Sequence, residues 1–309
     1  MSTANIPSAS HSVLRSLNRV NGELDGLLTG LSAYSDADRA LRQMAHELAA
    51  ATARAPDVAI AAVLLNQIAG RYAVRHCIDT AVVACLVARA TDRSELDVLT
   101  VAAAALTMNV GMMRQIESFQ SQASALTADE RAMVQRHPAE SAELLRRAGV
   151  SDEDWLTAVL QHHESDDGSG YPEGRRNGDI AVNARLIGMA DRYCACVSAR
   201  NYRRSMLPPL ALGKLRADGG FDAALIDRFC VTLGAYPPGT LVRLANGETG
   251  VVASAGARIV HALRDGVGAP ISSPRRTDEP GNAIATALHE DDARLRFRMQ
   301  TVWGELAAL

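Results

Sequence analysis

The chain has 309 residues, 48% of them apolar and 22% charged, with a formal net charge of -3. That balance suits a globular chain of about two domains with a substantial core. It excludes the basic field that a nucleic-acid polymer would need.

Residues 1–10 are rich in Ser and Ala and are expected to be disordered. No charged leader with an apolar run opens the chain, and no apolar run reaches the roughly 18 residues of a membrane span. The five cysteines, Cys77, Cys85, Cys194, Cys196 and Cys230, form no C-x-x-C pair. Reduced, buried cysteines and a cytoplasmic location are expected.

From Ser12 to Ala53 the apolar residues Leu14, Leu17, Val20, Leu24, Leu27 and Leu28 recur at three and four, which predicts helix. Asn21-Gly22 is a weak point in it. The run Ser35-Asp36-Ala37-Asp38 reads as a fresh cap. This segment, residues 1–56, is either a pad on the next domain or a sensory or homodimerising region. Pro56-Asp57 opens a central domain, residues 57–235. Helices are predicted over 58–69, 74–90 and 94–110, the last capped by Ser94. Thr127-Ala128-Asp129-Glu130 is a capping box. Pro138 should break the helix that follows, placing His137 at a junction. Gly149 ends the next helix and Ser151 caps another, which delivers His162 and His163. A long helix then covers Asn183 to Asp191.

After Leu233 the pattern changes. Leu241-Val242-Arg243-Leu244 and Thr249-Gly250-Val251-Val252 flank Asn246-Gly247, which predicts a hairpin. Residues 258–263 read as a third strand, 272–282 as loop and 291–309 as a closing helix. The expected architecture is mainly α: a helical bundle with an N-terminal helical segment and a small β-rich domain over 236–309.

Chemistry concentrates in Gln161-His162-His163-Glu164-Ser165-Asp166-Asp167-Gly168-Ser169-Gly170-Tyr171-Pro172. Neutral imidazole is a common metal ligand, and carboxylates serve harder ions. Two exposed histidines at a helix C-terminus would also satisfy the helix dipole. Gly168 and Gly170 permit positive φ and close backbone approach, and successive N–H groups there could form an anion nest.

The twelve-residue string resembles the HHE-x-x-DGxGYP signature of the HD-GYP family of bacterial cyclic di-GMP phosphodiesterases, and the resemblance extends over about residues 72 to 204. It implies an HD-type helical bundle with metal ligands at His76, His137, His162, His163 and Asp191. Nucleotide contacts are implied at Arg200, Tyr202 and Arg203 and along Asp167, Gly168, Gly170, Tyr171 and Pro172. Partners implied are cyclic di-GMP and diguanylate cyclases that dock on the GYP loop.

The sequence departs from the family where an adjacent His-Asp pair and a lysine are expected. Met108, Asn109 and Met112 stand there. The family's aspartate bridges two ions, and an amide oxygen is a neutral substitute for it. A thioether suits iron, manganese or zinc poorly. His137, His162 and His163 correspond to the ligands of one ion, while His76 and Asp191 belong to a second. The expectation is at most one divalent ion, or none. A binding or signalling module with weak or no hydrolysis is favoured. The alternative is a one-metal phosphodiesterase with Asp191 or Glu164 as general base.

Overall fold

The computed structural model describes residues 12–31, 34, 36–199 and 204–309. Two helices open it, α1 (Val13–Thr29) and α2 (Ala37–Arg54). α1 runs through Asn21-Gly22 because Asn21 is buried and its amide donates to the Ala69 carbonyl. Ser35 lies outside the described residues, and Asp36 holds the cap position of α2. α3 (Pro56–Leu64) starts on proline at N1, where a missing N–H costs nothing. It stops five residues before the predicted end, and Asn66 beyond it takes a positive φ of 54°.

α4 (Tyr72–Ala90) is the central post. Its sides are buried almost all round, by α5 (Glu95–Thr107), α2 and later helices, as expected of a helix apolar on every face. Ser94 and Asp97 form a reciprocal capping box on α5. The stretch from α5 into α6 (Met113–Ser121) is the one segment of the described residues apolar and long enough to cross a membrane. It is 61% buried inside the fold and serves as core.

α7 (Ala128–Arg147) begins on the Thr127–Glu130 capping box. Contrary to the expectation of a break, it continues through Pro138. α8 (Glu153–Gln161) is capped by the Asp152 carboxylate on the Trp155 N–H rather than by Ser151. α9 (Val182–Val197), α10 (Pro208–Asp218) and α11 (Ala223–Leu233) complete the bundle. One apolar cluster runs from Val13 to Leu233 and takes in Met299 and Ala307 near the C-terminus, so α1 and α2 share the core of the later helices.

A five-stranded antiparallel sheet follows, in the order β4-β3-β2-β1-β5: β1 (Leu241–Leu244), β2 (Thr249–Ser254), β3 (Ile259–Arg264), β4 (Pro270–Arg276) and β5 (Ile284–Ala287). Leu241 faces Val251 and Arg243 faces Thr249 across the Asn246-Gly247 turn. The 272–282 stretch expected as loop contributes most of β4 instead. It gave little signal because it is an edge strand carrying Pro274, where ladder bonds are needed on one side only. The expected closing helix is two short ones, α12 (Glu290–Ala293) and α13 (Met299–Trp303), interrupted by Arg294 and ended by Gly304, both at positive φ. The sheet seats on the bundle where Gly239 meets α3. A Cβ there would lie 2.7 Å from the Ala61 Cα.

Candidate metal and nucleotide site

Four helices build the site, three with histidines and one with an aspartate. α7 supplies His137, the C-terminal end of α8 supplies His162 and His163, α4 supplies His76 and α9 supplies Asp191. The ring atoms of His137, His162 and His163 that could bind metal all lie within 4.8 Å of one another. His137 and His162 are fully buried.

Two of these rings have their orientation set by the backbone. His137 Nδ1 donates to the Val134 carbonyl at 2.6 Å, and His162 Nδ1 donates to the Val159 carbonyl at 2.7 Å. A carbonyl only accepts, so the proton in each ring sits on Nδ1. The bare Nε2 atoms then face each other 3.3 Å apart. Burial pushes the His137 imidazolium down to about 3, with the neighbouring His162 adding to the shift. Burial also lowers His162, and lowers His163 well below the ordinary histidine value. Neutral rings with opposed lone pairs are a donor set that wants an electrophile between them. Two nitrogens bound tetrahedrally at about 2.0–2.1 Å from one zinc-like ion sit roughly 3.3–3.4 Å apart. The three imidazoles therefore fit a single metal ion.

The other side of the cleft is arranged differently. His76 Nε2 donates to Asp191 Oδ1 at 2.7 Å. Burial works against the Asp191 carboxylate, but the His76 hydrogen bond and the nearby His76, His163 and His162 outweigh it and hold it below the usual carboxylate range. The Tyr72 ring stacks on His76 with centroids 5.6 Å apart. Met108 is fully buried and belongs to the apolar core, while Asn109 and Met112 line the cleft beside His76, His163 and Asp191. Asn109 also neighbours the buried Cys77 thiol, which burial pushes up to about 12. The cleft is about 410 Å³, walled by Tyr72, Ile116, Phe119, Leu126, Val134 and Tyr171. Among the described residues no Lys or Arg lines it. Arg200, Tyr202 and Arg203, expected to meet phosphates, lie outside the described residues.

The loop after α8 closes one side. Tyr171 lies against His163, with centroids 4.6 Å apart, and its N–H donates to the His163 carbonyl. Gly170 allows that return: a Cβ would stand 2.5 Å from the Glu164 Cα, the His163 oxygen and the Ser165 nitrogen. The Tyr171–Pro172 peptide is cis. Two expectations need correction here. Glu164 is not brought to the ring nitrogens as a base. It is buried, and its two oxygens accept the N–H groups of Glu173 at 2.8 Å and Arg175 at 2.9 Å, so it clamps the loop. The anion nest is not formed either. Gly168 N–H donates to the Ser165 carbonyl, Ser169 N–H to Asp167 and Tyr171 N–H to His163, so these donors are used within the loop. Asp167 is exposed and holds the Ser169 N–H and hydroxyl, which pull its carboxyl down. Gly170, Tyr171 and Pro172 also face outward, onto a shallow groove with Gln135 and Arg136.

Some participants were not singled out from sequence. Arg185 pairs with Asp166, and Arg192 donates to Ser165, which together pin the loop to α9. Gly188 leaves room for the His162 carbonyl against α9. Asp79, one turn beyond His76, is fully buried, and burial pushes its carboxyl up to about 7. Only its spacing of three from His76 hints at this in the sequence.

The sequence profile of the HD domain family matches residues 30–225. The chain is similar to a cyclic di-GMP phosphodiesterase of Pseudomonas aeruginosa, 29% identical over 207 residues, covering 67% of this chain and 50% of the relative. It is also similar to a cyclic di-GMP phosphodiesterase response regulator of Xanthomonas campestris, 35% identical over 150 residues, covering 47% and 39%. The chain thus spans half or less of the length of these two relatives. Among solved structures, an HDG"Y"P protein from Bdellovibrio bacteriovorus shares the fold, with a TM-score of 0.59 at 14% identity, covering 72% of this chain and 73% of that one.

Proposed function

The chain belongs to the HD domain family, and within it to the HD-GYP kind, and from that premise we propose that it is a cyclic di-GMP signalling protein that holds at most one divalent ion and binds nucleotide or partner with weak or no hydrolysis. One observation carries this reading: Asn109 lines the cleft beside a His76 whose Nε2 is already given to Asp191, and Met108 is buried in the core. Two dications a few ångströms apart need an anionic bridge to hold them. Asn109 brings a neutral amide, and Met112 brings no charge to offset a phosphate.

His137, His162 and His163 would hold the ion; of iron, manganese and zinc, zinc and iron suit an all-imidazole set, whereas manganese prefers carboxylate and water ligands. When bound, such an ion supplies Lewis-acid polarisation of a phosphodiester oxygen. The chain's own residues orient and enclose. Val134 and Val159 fix two of the rings, Tyr171 covers a face of His163, and the apolar wall from Ile116 to Leu126 suits a purine more than a phosphate. Arg200, Tyr202 and Arg203 are assigned the phosphates. The outward groove beside Tyr171 and Pro172 is assigned to a partner such as a diguanylate cyclase.

The test is elemental analysis of the purified protein together with chromatography of cyclic di-GMP. About one ion per chain, with nucleotide bound but left intact, is the expected result. The three convergent imidazoles favour a second reading, a one-metal phosphodiesterase. Robust turnover that His162→Ala abolishes would establish that reading instead.

A further inference from the structure

Pro138 stands eleven residues into a twenty-residue helix, where proline removes a hydrogen bond and crowds the carbonyl four residues back. That carbonyl belongs to Val134. In an uninterrupted helix the N–H of residue 138 would occupy it. Here it accepts His137 Nδ1–H at 2.6 Å. His162 meets the same need by another route: it caps α8, where terminal carbonyls lack helical partners, and Val159 accepts its Nδ1–H. His137 has no helix end to use.

We propose that Pro138 is a positioning residue: by withholding a backbone donor in mid-helix it reserves the Val134 carbonyl for His137 Nδ1–H, which fixes the His137 tautomer and aims its bare Nε2 at the three-histidine centre. The competing donor is the deciding feature. A backbone N–H at 138 would be held by the helix within reach of Val134, whereas the imidazole can rotate and tautomerise. A carbonyl oxygen can accept twice, but the ring would then share it with a donor the helix holds in place, its Nδ1–H would be held less firmly, and the Nε2–H form, in which Nε2 is no ligand, would become accessible. The packing of α7 reinforces the register. Gly111 lets the preceding turn approach so closely that a Cβ there would lie 3.0 Å from the His137 carbonyl, and its N–H donates to Ser141.

The metal part of this inference rests on His137 being a ligand, but the tautomer part does not, and the experiment separates them. Metal-free protein carrying 15N-imidazole histidine is compared with Pro138→Ala by long-range proton–nitrogen correlation. The wild-type His137 ring is expected in the Nδ1–H form alone. Pro138→Ala, a better helix former, should melt at the same temperature or higher, yet show a substantial Nε2–H population. Zinc affinity, read by titration, should fall about 10–100-fold, the loss typical when a ligand histidine loses its orienting partner. An ester linkage in place of the 137–138 amide of that variant removes the donor again and should restore the wild-type spectrum. An unchanged tautomer in Pro138→Ala overturns the proposal, as does an ester variant that behaves like its amide. A shifted tautomer in a protein that never binds zinc supports the role of Pro138 and overturns the one-ion reading.

Discussion

On one side of the cleft, His137 and His162 give their Nδ1 protons to carbonyls three residues back and leave Nε2 bare. On the other, His76 turns its Nε2 onto Asp191, and the neighbouring positions are a core methionine and an amide. The first side is preorganised for an ion. The second has its one aimed nitrogen, His76 Nε2, already given to Asp191, while the buried Nδ1 has no partner among the described residues. The contrast shows that shared histidines do not make equivalent half-sites. What each ring does with its second nitrogen decides whether the first is available.

The sharpest test removes one ligand from each side. His163→Ala should take metal content from near one ion per chain to near zero, a larger loss than the about 10–100-fold of a missing orienting partner. His76→Ala should leave content near one. Two tightly held ions in the unmodified protein, or metal lost with His76, would break the contrast.

Rebuilding the closed side is the next test. Asn109→Asp places a second carboxylate on the cleft wall that carries Asp191. Without metal it should cost on the order of 1–3 kcal/mol, and manganese should recover that cost in a melting experiment. Adding Met108→His and Met112→Lys should raise metal content and hydrolysis together. Those three are best read as a set because residues that act as a unit are not additive. Met108 is fully buried, so its replacement must fit an imidazole into core space. A metal-free Asn109→Asp protein as stable as the wild type would contradict the crowding of negative charge.

Glu164 sharpens the comparison from the loop. Glu164→Gln should weaken the clamp on the Glu173 and Arg175 N–H groups by about 1.5–3 kcal/mol, the range for charged hydrogen bonds, with metal content unchanged. Lost turnover at full stability would instead restore Glu164 as a base.

Acid titration gives the smallest signal per step. In EDTA-treated protein, His137 is neutral when folded down to about 3, while the unfolded chain takes up that proton near 6.5. The unfolded state therefore binds more protons between those values, and stability falls as pH drops through that window, by about 1.4 kcal/mol per unit for each such ring. His162 and His163 shift in the same direction. Asp79, raised to about 7, opposes them between roughly 4 and 7, but it is one group against three. A flat melting temperature from pH 7 to 5 would show that the rings are not buried neutral.

Most of the early helices and two of their caps were readable in the sequence because they are local, while the α8 cap fell on Asp152 rather than Ser151. Ser94–Asp97 and Thr127–Glu130 are contacts within one turn, and the apolar spacing of α1 is a property of α1 alone. The hairpin was readable for the same reason. β4 and β5 were not, since an edge strand is defined by its neighbour's hydrogen bonds and needs few apolar residues of its own. At the site, the order of residues alone determined which histidines, glycines and aspartates were present, and that Met108 and Asn109 stand where the family resemblance implies a His-Asp pair. Only the tertiary structure decided which nitrogens are free. It turned Glu164 from a candidate base into a clamp, used the Gly168, Ser169 and Tyr171 N–H groups within the loop, closed His76 on Asp191 and carried α7 through Pro138. Each of these depends on where a second group 3 Å away happens to sit, and residues 115 apart in the chain, such as His76 and Asp191, meet only when the whole bundle has packed.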